Sequence, residues 1–248
     1  PYDKGSNKAE DDWSDLINEL RREAKAKGFW LPHMPHSVGG MGLGVTALAA
    51  VSAEAAKVPY GPYILNAHAP DEGNMHTLHH FATEYQREHY LNPLLEGEVR
   101  SCFSMTEPDV SGADPTGLRT RAVRDGDEWV INGHKWFTSG ANIAAFTTVF
   151  CETEPQQQKH ARFSSIIVPT DTPGYRIERV VPTMGSTLGG HCEVRLDNVR
   201  VPRENLLGGR GQGFVIAQKR LGPGRIFHCM RWLGQAQRAF ELMCEYAK

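Results

Sequence analysis

The sequence predicts an α+β protein of more than one domain. It reads as a helical N-terminal domain, an antiparallel β-barrel or sandwich in the middle, and the start of an all-α C-terminal bundle. Three observations carry this. Apolar residues recur with the helical period over the first hundred positions. At about residue 101 the pattern becomes short segments rich in Val, Ile, Thr and Trp, punctuated by turn dipeptides. From Gly213 it becomes helical again. The expected domains are 1–100, 101–209 and an incomplete 210–248.

Trp13, Leu16, Ile17 and Leu20 fall at i, i+3, i+4 and i+7, which predicts one apolar face on a helix over about 11–27, stopped by Gly28. A Pro/Gly-rich connection from Leu31 to Gly44 leads to a small-residue helix near 45–57. Thr83-x-x-Gln86 has capping-box form and opens a helix carrying Tyr90, Leu91, Leu94 and Leu95. Asp125-Gly126 and Asn132-Gly133 read as hairpin turns. They delimit strands at Glu128–Ile131 and His134–Thr138; Phe146–Cys151, Phe163–Val168, Tyr175–Val181 and Cys192–Val199 follow, about six strands in all. In the last helix Ile226, Met230, Leu233, Phe240 and Met243 keep roughly one face, and Pro223, lacking a backbone donor, should start or kink it. The chain opens on Pro1 and its helical pattern still runs at Lys248, so both ends are expected to be internal.

The 40 % hydrophobic and 23 % charged content are those of an ordinary globular protein. A formal net charge of −2 offers no electrostatic case for nucleic acid or an anionic membrane. Neither a membrane-spanning apolar run nor a signal-peptide pattern is found, so no membrane insertion is expected. Cys102, Cys151, Cys192, Cys229 and Cys244 are odd in number and widely spaced, which reads as reduced thiols in an intracellular reducing compartment. A bacterial cytoplasm and an organelle matrix, mitochondrial or peroxisomal, are not distinguished. His76, His79 and His80 suggest a metal site at first glance, but no carboxylate or cysteine cluster accompanies them, so packed or solvated histidines are expected and metal is not. Gly39-Gly40 and Gly189-Gly190 do not form a phosphate loop, and Gln156–His160 reads as a polar surface loop.

Two segments carry chemistry. Met105-Thr106-Glu107-Pro108 runs into Asp109-Val110-Ser111-Gly112-Ala113-Asp114, and Trp136-Phe137-Thr138-Ser139-Gly140 forms a second patch. Each is a turn of small polar residues flanked by apolar ones, which leaves backbone N–H groups for an anion or a polar ring edge. Together they resemble the two flavin-contacting segments of the acyl-CoA dehydrogenase family. Further patches follow in that family's order: Asn74-Met75-His76, Cys102 to Pro108, Val130-Ile131-Asn132-Gly133-x-Lys135-Trp136, Val194 to Pro202, Asn205-Leu206-Leu207-Gly208 and Gly211-x-Gly213-Phe214. The resemblance covers the chain from about residue 10 to 248, truncated at the start of the family's C-terminal helical domain.

The resemblance implies an FAD-dependent enzyme that introduces an α,β double bond into an acyl-CoA thioester, as in fatty-acid β-oxidation. A carboxylate would remove the α-proton while the β-hydride goes to the flavin. By resemblance Phe103, Met105 and Thr106 line the flavin ring, and Ser111, Gly112 and Ala113 lie near the pyrophosphate or CoA. Trp136 or Phe137 stacks on the ring, spacing favouring Phe137, with Thr138 and Ser139 near the redox-active nitrogen. Gly222 and Arg225 match positions near the CoA pantetheine and the substrate. The chain departs from the family in carrying an extra residue between Pro108 and Asp114 and Ala113 where Ser or Thr is usual. Gly224 occupies one of the two places where the family carries its catalytic glutamate; the other lies past Lys248, so no base is expected in this chain. An electron-transfer flavoprotein and a homodimer or homotetramer are the implied partners, and these 248 residues alone are expected to bind FAD poorly. Two alternatives stay open: an acyl-CoA oxidase, and a non-catalytic acyl-CoA-binding or assembly protein of the same fold, which Gly224 and Ala113 would suit.

Overall fold

The computed structural model describes residues 8–184 and 189–248, the side chains of residues 8–13 excepted, so the expected inward position of Trp13 lies outside the described residues. The chain divides into two compact units, residues up to Glu72 together with Gly224–Lys248, and Gly73–Pro223.

The first unit is helical. It holds α1 (Lys8–Ala26), α2 (Val45–Ala56), α3 (Gly61–Ile64) and the C-terminal part of a long helix that begins at Gly213. Ile17 and Ala24 are buried on α1, whereas Leu16 is 50 % exposed. The inward position one turn after Ile17 is Arg21, whose guanidinium lies between the rings of Trp30 and Tyr63 at 5.0 and 4.5 Å and donates to the Tyr63 carbonyl at 2.6 Å. An apolar count along the helix misses this residue because Trp30 and Tyr63, which receive its charge, lie outside the helix. Gly28, at φ +79°, ends the helix in the left-handed conformation that glycine adopts without strain.

The long helix buries Phe227, Met230, Arg231 and Gly234, spaced i, i+3, i+4 and i+7, while Ile226, Leu233, Phe240 and Met243 are exposed. Of the expected face only Met230 is therefore inside. Gly234 accounts for the choice: a Cβ there would lie 1.8 Å from the Ala53 carbonyl oxygen of α2, so glycine at this position permits the close crossing. Leu48, Phe227 and Met230 form the small core of this unit. Arg231 Nη1 donates to both oxygens of the buried Glu72 at 2.7 Å.

The second unit carries α4 (Asp71–Phe81), most of which lies in it, and α5 (Glu84–Gln86), which passes through a π-helical stretch, Arg87–Leu91, into α6 (Asn92–Glu96). The capping box forms as read: Gln86 N–H donates to Thr83 Oγ1 at 3.3 Å and Thr83 N–H donates to Gln86 Oε1 at 3.2 Å. The sheet comprises β1 (Ser101–Ser104), β2 (Arg121–Asp125), β3 (Glu128–Ser139), β4 (Phe146–Glu152), β5 (Phe163–Pro169), β6 (Tyr175–Val181), β7 (His191–Pro202) and β8 (Leu206–Leu207). Their order is β6-β7-β3-β2-β4-β5-β8, with β1 beside β4.

Among the described residues eight strands replace the expected six; of the two expected forms the sheet takes the sandwich-like one, mixed rather than wholly antiparallel. β1 and β2 both pair with β4 in parallel. The missed strands, β1, β2 and β8, are short, and in β2 only Ala122 is buried, so none carries an alternation that marks a strand. Asp125-Gly126 does make a hairpin, closed by the pair Asp125↔Glu128, with Gly126 at φ +60°. Asn132-Gly133 does not. The chain continues through it as a single strand with a register shift between Ile131 and Gly133, a bulge where a Cβ on Gly133 would meet Thr120 Oγ1 at 2.2 Å. The helix α7 (Gly213–Tyr246) likewise runs through Pro223 rather than starting there. Gly222 and Gly224 flank that proline in open space and leave the backbone free to adjust. Among the described residues no helix is long and apolar enough to cross a membrane.

The larger core lies between β1–β7 and centres on Trp129, Ile131, Val149, Ile166, Val194 and Val199. A second cluster, Leu118, Phe150, Phe163 and Ala217, supports Phe103, Met105 and Val110. Between these clusters sits an ion pair. Lys135 Nζ, wholly buried, donates to Glu107 Oε1 at 3.0 Å, the Met105 carbonyl at 2.9 Å and the Phe150 carbonyl at 2.7 Å. Glu107 also accepts from Arg119 N–H at 2.7 Å, Thr120 N–H at 2.9 Å and Thr120 Oγ1 at 2.6 Å. Burial pushes the Glu107 carboxyl up, but the Lys135 ammonium, the Thr120 hydroxyl and the two backbone donors outweigh it and hold it below its ordinary value. Its charge is thus spent on structure, and it is no general base. Burial pushes Lys135 down and also raises the Cys151 thiol to about 12, which leaves that thiol inert.

Replacing Lys135 by Met leaves the Glu107 carboxylate buried without its counter-ion, and the expected loss of unfolding free energy is about 3–5 kcal/mol, read by urea titration. A loss below about 1 kcal/mol would show that the pair is not holding the unit together. His76 and His79 on α4 are both pushed below the ordinary imidazole value, by burial first and then by His80 and the neighbouring cations Lys219 and Arg87 respectively. The unfolded chain therefore binds more protons, so stability is complete above about pH 6.5 and falls as pH drops below it. The urea midpoint should fall between about pH 8 and about pH 5.5, and His76→Gln should reduce that fall.

Candidate functional site

The two chemistry-bearing segments meet in the sheet unit. Trp136 N–H donates to the Thr106 carbonyl at 2.8 Å, and Lys135 reaches the Met105 carbonyl, so the strand β3 is laced to the loop that leaves β1. Below this contact runs a hydroxyl ladder: Thr138 Oγ1 donates to Ser104 Oγ at 3.4 Å, which is hydrogen-bonded to Thr147 Oγ1 at 2.8 Å. Thr138 is wholly buried, its side chain facing this ladder. Ser139 points to another partner, its Oγ lying 2.7 Å from His191 Nδ1 on β7.

Phe137 is the unusual residue of the site. Its backbone sits at φ +52°, a conformation an L-residue with a bulky side chain rarely takes, and its ring is 45 % exposed. Trp136 packs beside it, ring centroids 5.2 Å apart at 39°, and the His191 ring meets its other side edge-on at 5.9 Å. The Trp136 indole N–H is buried and has no acceptor among the described residues. Of the two aromatics it is therefore Phe137 that offers a face and Trp136 that backs it.

Phe103 and Met105 are half-buried over the second core cluster. Arg220 of α7 lies over the Phe103 ring, Cζ to centroid 4.2 Å, and its Nε donates to Asn74 Oδ1 at 2.8 Å. Asn74, fully buried, passes the chain on through Nδ2 to Ser101 Oγ at 2.8 Å and the Cys102 carbonyl at 3.1 Å. The turn Ser111-Gly112-Ala113 is exposed, and the Ala113 N–H donates to Ser111 Oγ at 3.3 Å. The extra residue before Asp114 is thus closed off by a local turn. Asp114 caps the short 3₁₀ turn Pro115–Gly117, and its bonds from Thr116 hold its carboxyl below the ordinary value.

Gly222 lies in this unit; Gly224 and the exposed Arg225 belong to the helical unit. A Cβ at either glycine would meet nothing within 4 Å. The His80 ring meets His76 edge-on at 5.2 Å and His79 at a tilt at 5.3 Å, and among the described residues no group of three His, Cys, Asp or Glu is placed to hold a metal ion. Residues 155–160 are exposed between β4 and β5.

The sequence reading did not single out Arg220, His191 or the buried role of Lys135. Lys135 and Asn74 stand inside motifs that were legible, whereas Arg220 and His191 act through partners far away in sequence and no local pattern marks them.

Models of three consecutive domains match the chain: the N-terminal domain of acyl-CoA dehydrogenase over residues 5–98, the middle domain over 102–199 and the C-terminal domain over 211–248. The probable acyl-CoA dehydrogenase FadE2 of Mycobacterium tuberculosis is 45 % identical over 98 % of this chain, which spans 60 % of that protein. Human acyl-CoA dehydrogenase family member 11 is 42 % identical over 94 % of the chain, here covering 30 % of the relative. Among solved structures, a Mycobacterium abscessus chain assigned to the acyl-CoA dehydrogenases superposes with a TM-score of 0.89 at 42 % identity, covering 92 % of this chain and 57 % of that one. A glutaryl-CoA dehydrogenase from Mycobacterium smegmatis, in complex with FADH2, superposes at 0.77 with 27 % identity over 95 % of this chain and 59 % of its own. With its domain models in order from residue 5 to 248 and such relatives on both counts, the chain belongs to the acyl-CoA dehydrogenase family.

Proposed function

We propose that the protein is an FAD-dependent acyl-CoA dehydrogenase and that Phe137 is the face on which the flavin ring rests. The carrying observation is the strained, half-exposed Phe137. Backbone held in a sparsely populated region persists only where the surroundings fix it, and it clusters at functional sites. Here the ring is backed by Trp136, edged by His191 and flanked by the Ser139 hydroxyl, an arrangement that suits a planar heteroaromatic group with polar edges. The orphaned Trp136 indole N–H supports the same fit.

When bound, FAD supplies a hydride acceptor that no side chain offers. This chain's part is placement. Phe103 and Met105 would line the ring, fixed by the Arg220–Asn74 chain and the core beneath them. Thr106 would bond the ring's polar edge from a backbone held by Trp136 and Lys135, and Ser139 would do so near the redox-active nitrogen. Ser111, Gly112 and Ala113 would receive the pyrophosphate or the CoA moiety, with the Ser111 hydroxyl still able to donate. Gly222 and Arg225 would lie along the acyl-CoA. Gly224 supplies no carboxylate for the α-proton, so that role would fall to another group. An electron-transfer flavoprotein as acceptor, a homo-oligomeric assembly and a reducing compartment complete the reading; the exposed Trp232, Leu233, Phe240 and Met243 on α7 support further helical packing in the intact protein. A non-catalytic protein of the same fold is the second reading, favoured by Gly224 and Ala113.

Anaerobic titration of the intact protein with acyl-CoAs of graded length should bleach the oxidised flavin band. Bound flavin that no thioester bleaches would favour the non-catalytic reading. Phe137→Leu should weaken flavin binding by roughly 3–10-fold, the worth of one aromatic stack, with little change in melting temperature. Unchanged flavin affinity would remove Phe137 from the site.

A further inference from the structure

We propose that an arginine-lined depression on the sheet unit is a phosphate-monoester site, and that it takes the 3′-phosphorylated adenosine end of the coenzyme A thioester. The identity of the ligand rests on the acyl-CoA reading; the anion site itself does not. The depression has a volume of about 530 Å³ and is open to solvent, lined among others by Thr116, Gly117, Arg119, Arg121, Glu152 and Arg162. That size lies within the range of about 300–1,000 Å³ typical of small-molecule sites.

Its charge is unbalanced. Glu152, at the end of β4, is the single carboxylate in the wall and is almost fully buried. Arg121 Nε donates to it at 3.0 Å, and Arg162 Nη2 donates to its other oxygen. One negative charge is therefore shared by two guanidinium groups, and the exposed Arg119 adds a third. Charged residues near the lining in sequence do not correct the excess, because they pair among themselves: Lys159 with Asp114 at 3.4 Å and Arg210 with Glu154 at 2.5 Å.

A second observation is independent of this count. Arg162 Nε is buried and has no acceptor among the described residues. The Arg162 guanidinium thus keeps donor capacity that Glu152 does not fill; Nε itself is shut off from solvent, and the partly exposed remainder of the group is what an anion would meet. Guanidinium groups fit phosphate oxygens through paired donors, a geometry an ammonium does not offer.

The wall is also rigid. Arg121 and Glu152 are register partners where β2 meets β4, and Glu152 N–H donates to the Thr120 carbonyl at 2.8 Å. Glu107 grips the Arg119 and Thr120 N–H groups from the other side, so the arginine wall and the Met105–Glu107 segment hang from one junction. A phosphate bound there would be held in fixed register with the first flavin segment.

The test measures binding of coenzyme A, 3′-dephospho-coenzyme A and adenosine 3′,5′-bisphosphate to the intact protein by calorimetry. Coenzyme A should bind about tenfold more tightly than its dephospho form, the worth of one charge-assisted contact. Arg121→Gln and Arg119→Gln, both at exposed side chains, should each remove most of that difference and weaken the bisphosphate to a similar degree. Arg162→Lys keeps a charge beside Glu152 while losing the planar paired donors, and should do the same without lowering the melting temperature. Equal affinity for the two coenzyme forms, or discrimination that survives in these variants, would overturn the site. The bisphosphate needs neither flavin nor turnover. Bisphosphate binding that depends on Arg121, in a protein whose flavin no acyl-CoA bleaches, would leave the anion site standing and the dehydrogenase reading fallen. Bleaching by acyl-CoA with bisphosphate affinity unchanged in every variant would do the reverse.

Discussion

The buried pair between Glu107 and Lys135 is the contact on which the sheet unit depends. Each charge is taken out of water and repaid by several hydrogen bonds: the carboxylate by two backbone N–H groups and a hydroxyl, the ammonium by two carbonyls. Those partners come from the loop after β1, the approach to β2, and β4, while Lys135 itself stands on β3. Segments distant in sequence are thereby fixed at one point, and the Met105–Glu107 loop inherits its position from that point rather than from its own conformation. A hydrophobic pair of the same volume would fill the space without specifying which carbonyl faces which strand. The need to satisfy every donor and acceptor narrows the arrangement to a single register.

Much of the fold is legible in the sequence, for reasons that can be traced residue by residue. Local signals hold: the Thr83–Gln86 box, the stop at Gly28 and the Asp125-Gly126 hairpin depend on atoms a few positions apart. Signals whose meaning is decided elsewhere do not. Asn132-Gly133 is a bulge rather than a turn because Thr120 presses against Gly133. The buried face of α7 is chosen by the contact of Gly234 with Ala53 and not by which stripe holds more apolar side chains. The parallel neighbours of β4 have no local mark at all.

The site follows the same rule. Its segments were recognisable as motifs, since each is contiguous. What holds them, the Arg220–Asn74 chain against Phe103 and the His191 contact to Ser139, joins residues from separate elements and becomes visible only in three dimensions. The motif supplies the surface presented, and the scattered residues supply its rigidity.

Phe137 shows what that rigidity costs. Glycine or asparagine would sit at φ +52° more comfortably, and either would relieve the backbone by about 1 kcal/mol. Either would also take away the ring. The position is therefore a fixed trade between thermodynamic ease and ring presentation: selection for a sturdier protein pulls toward small residues there, and selection for the exposed aromatic pulls back. Stabilising substitutions in this molecule are accordingly to be sought away from the bend after Trp136, where the fold has no comfort to give without surrendering what the strand displays.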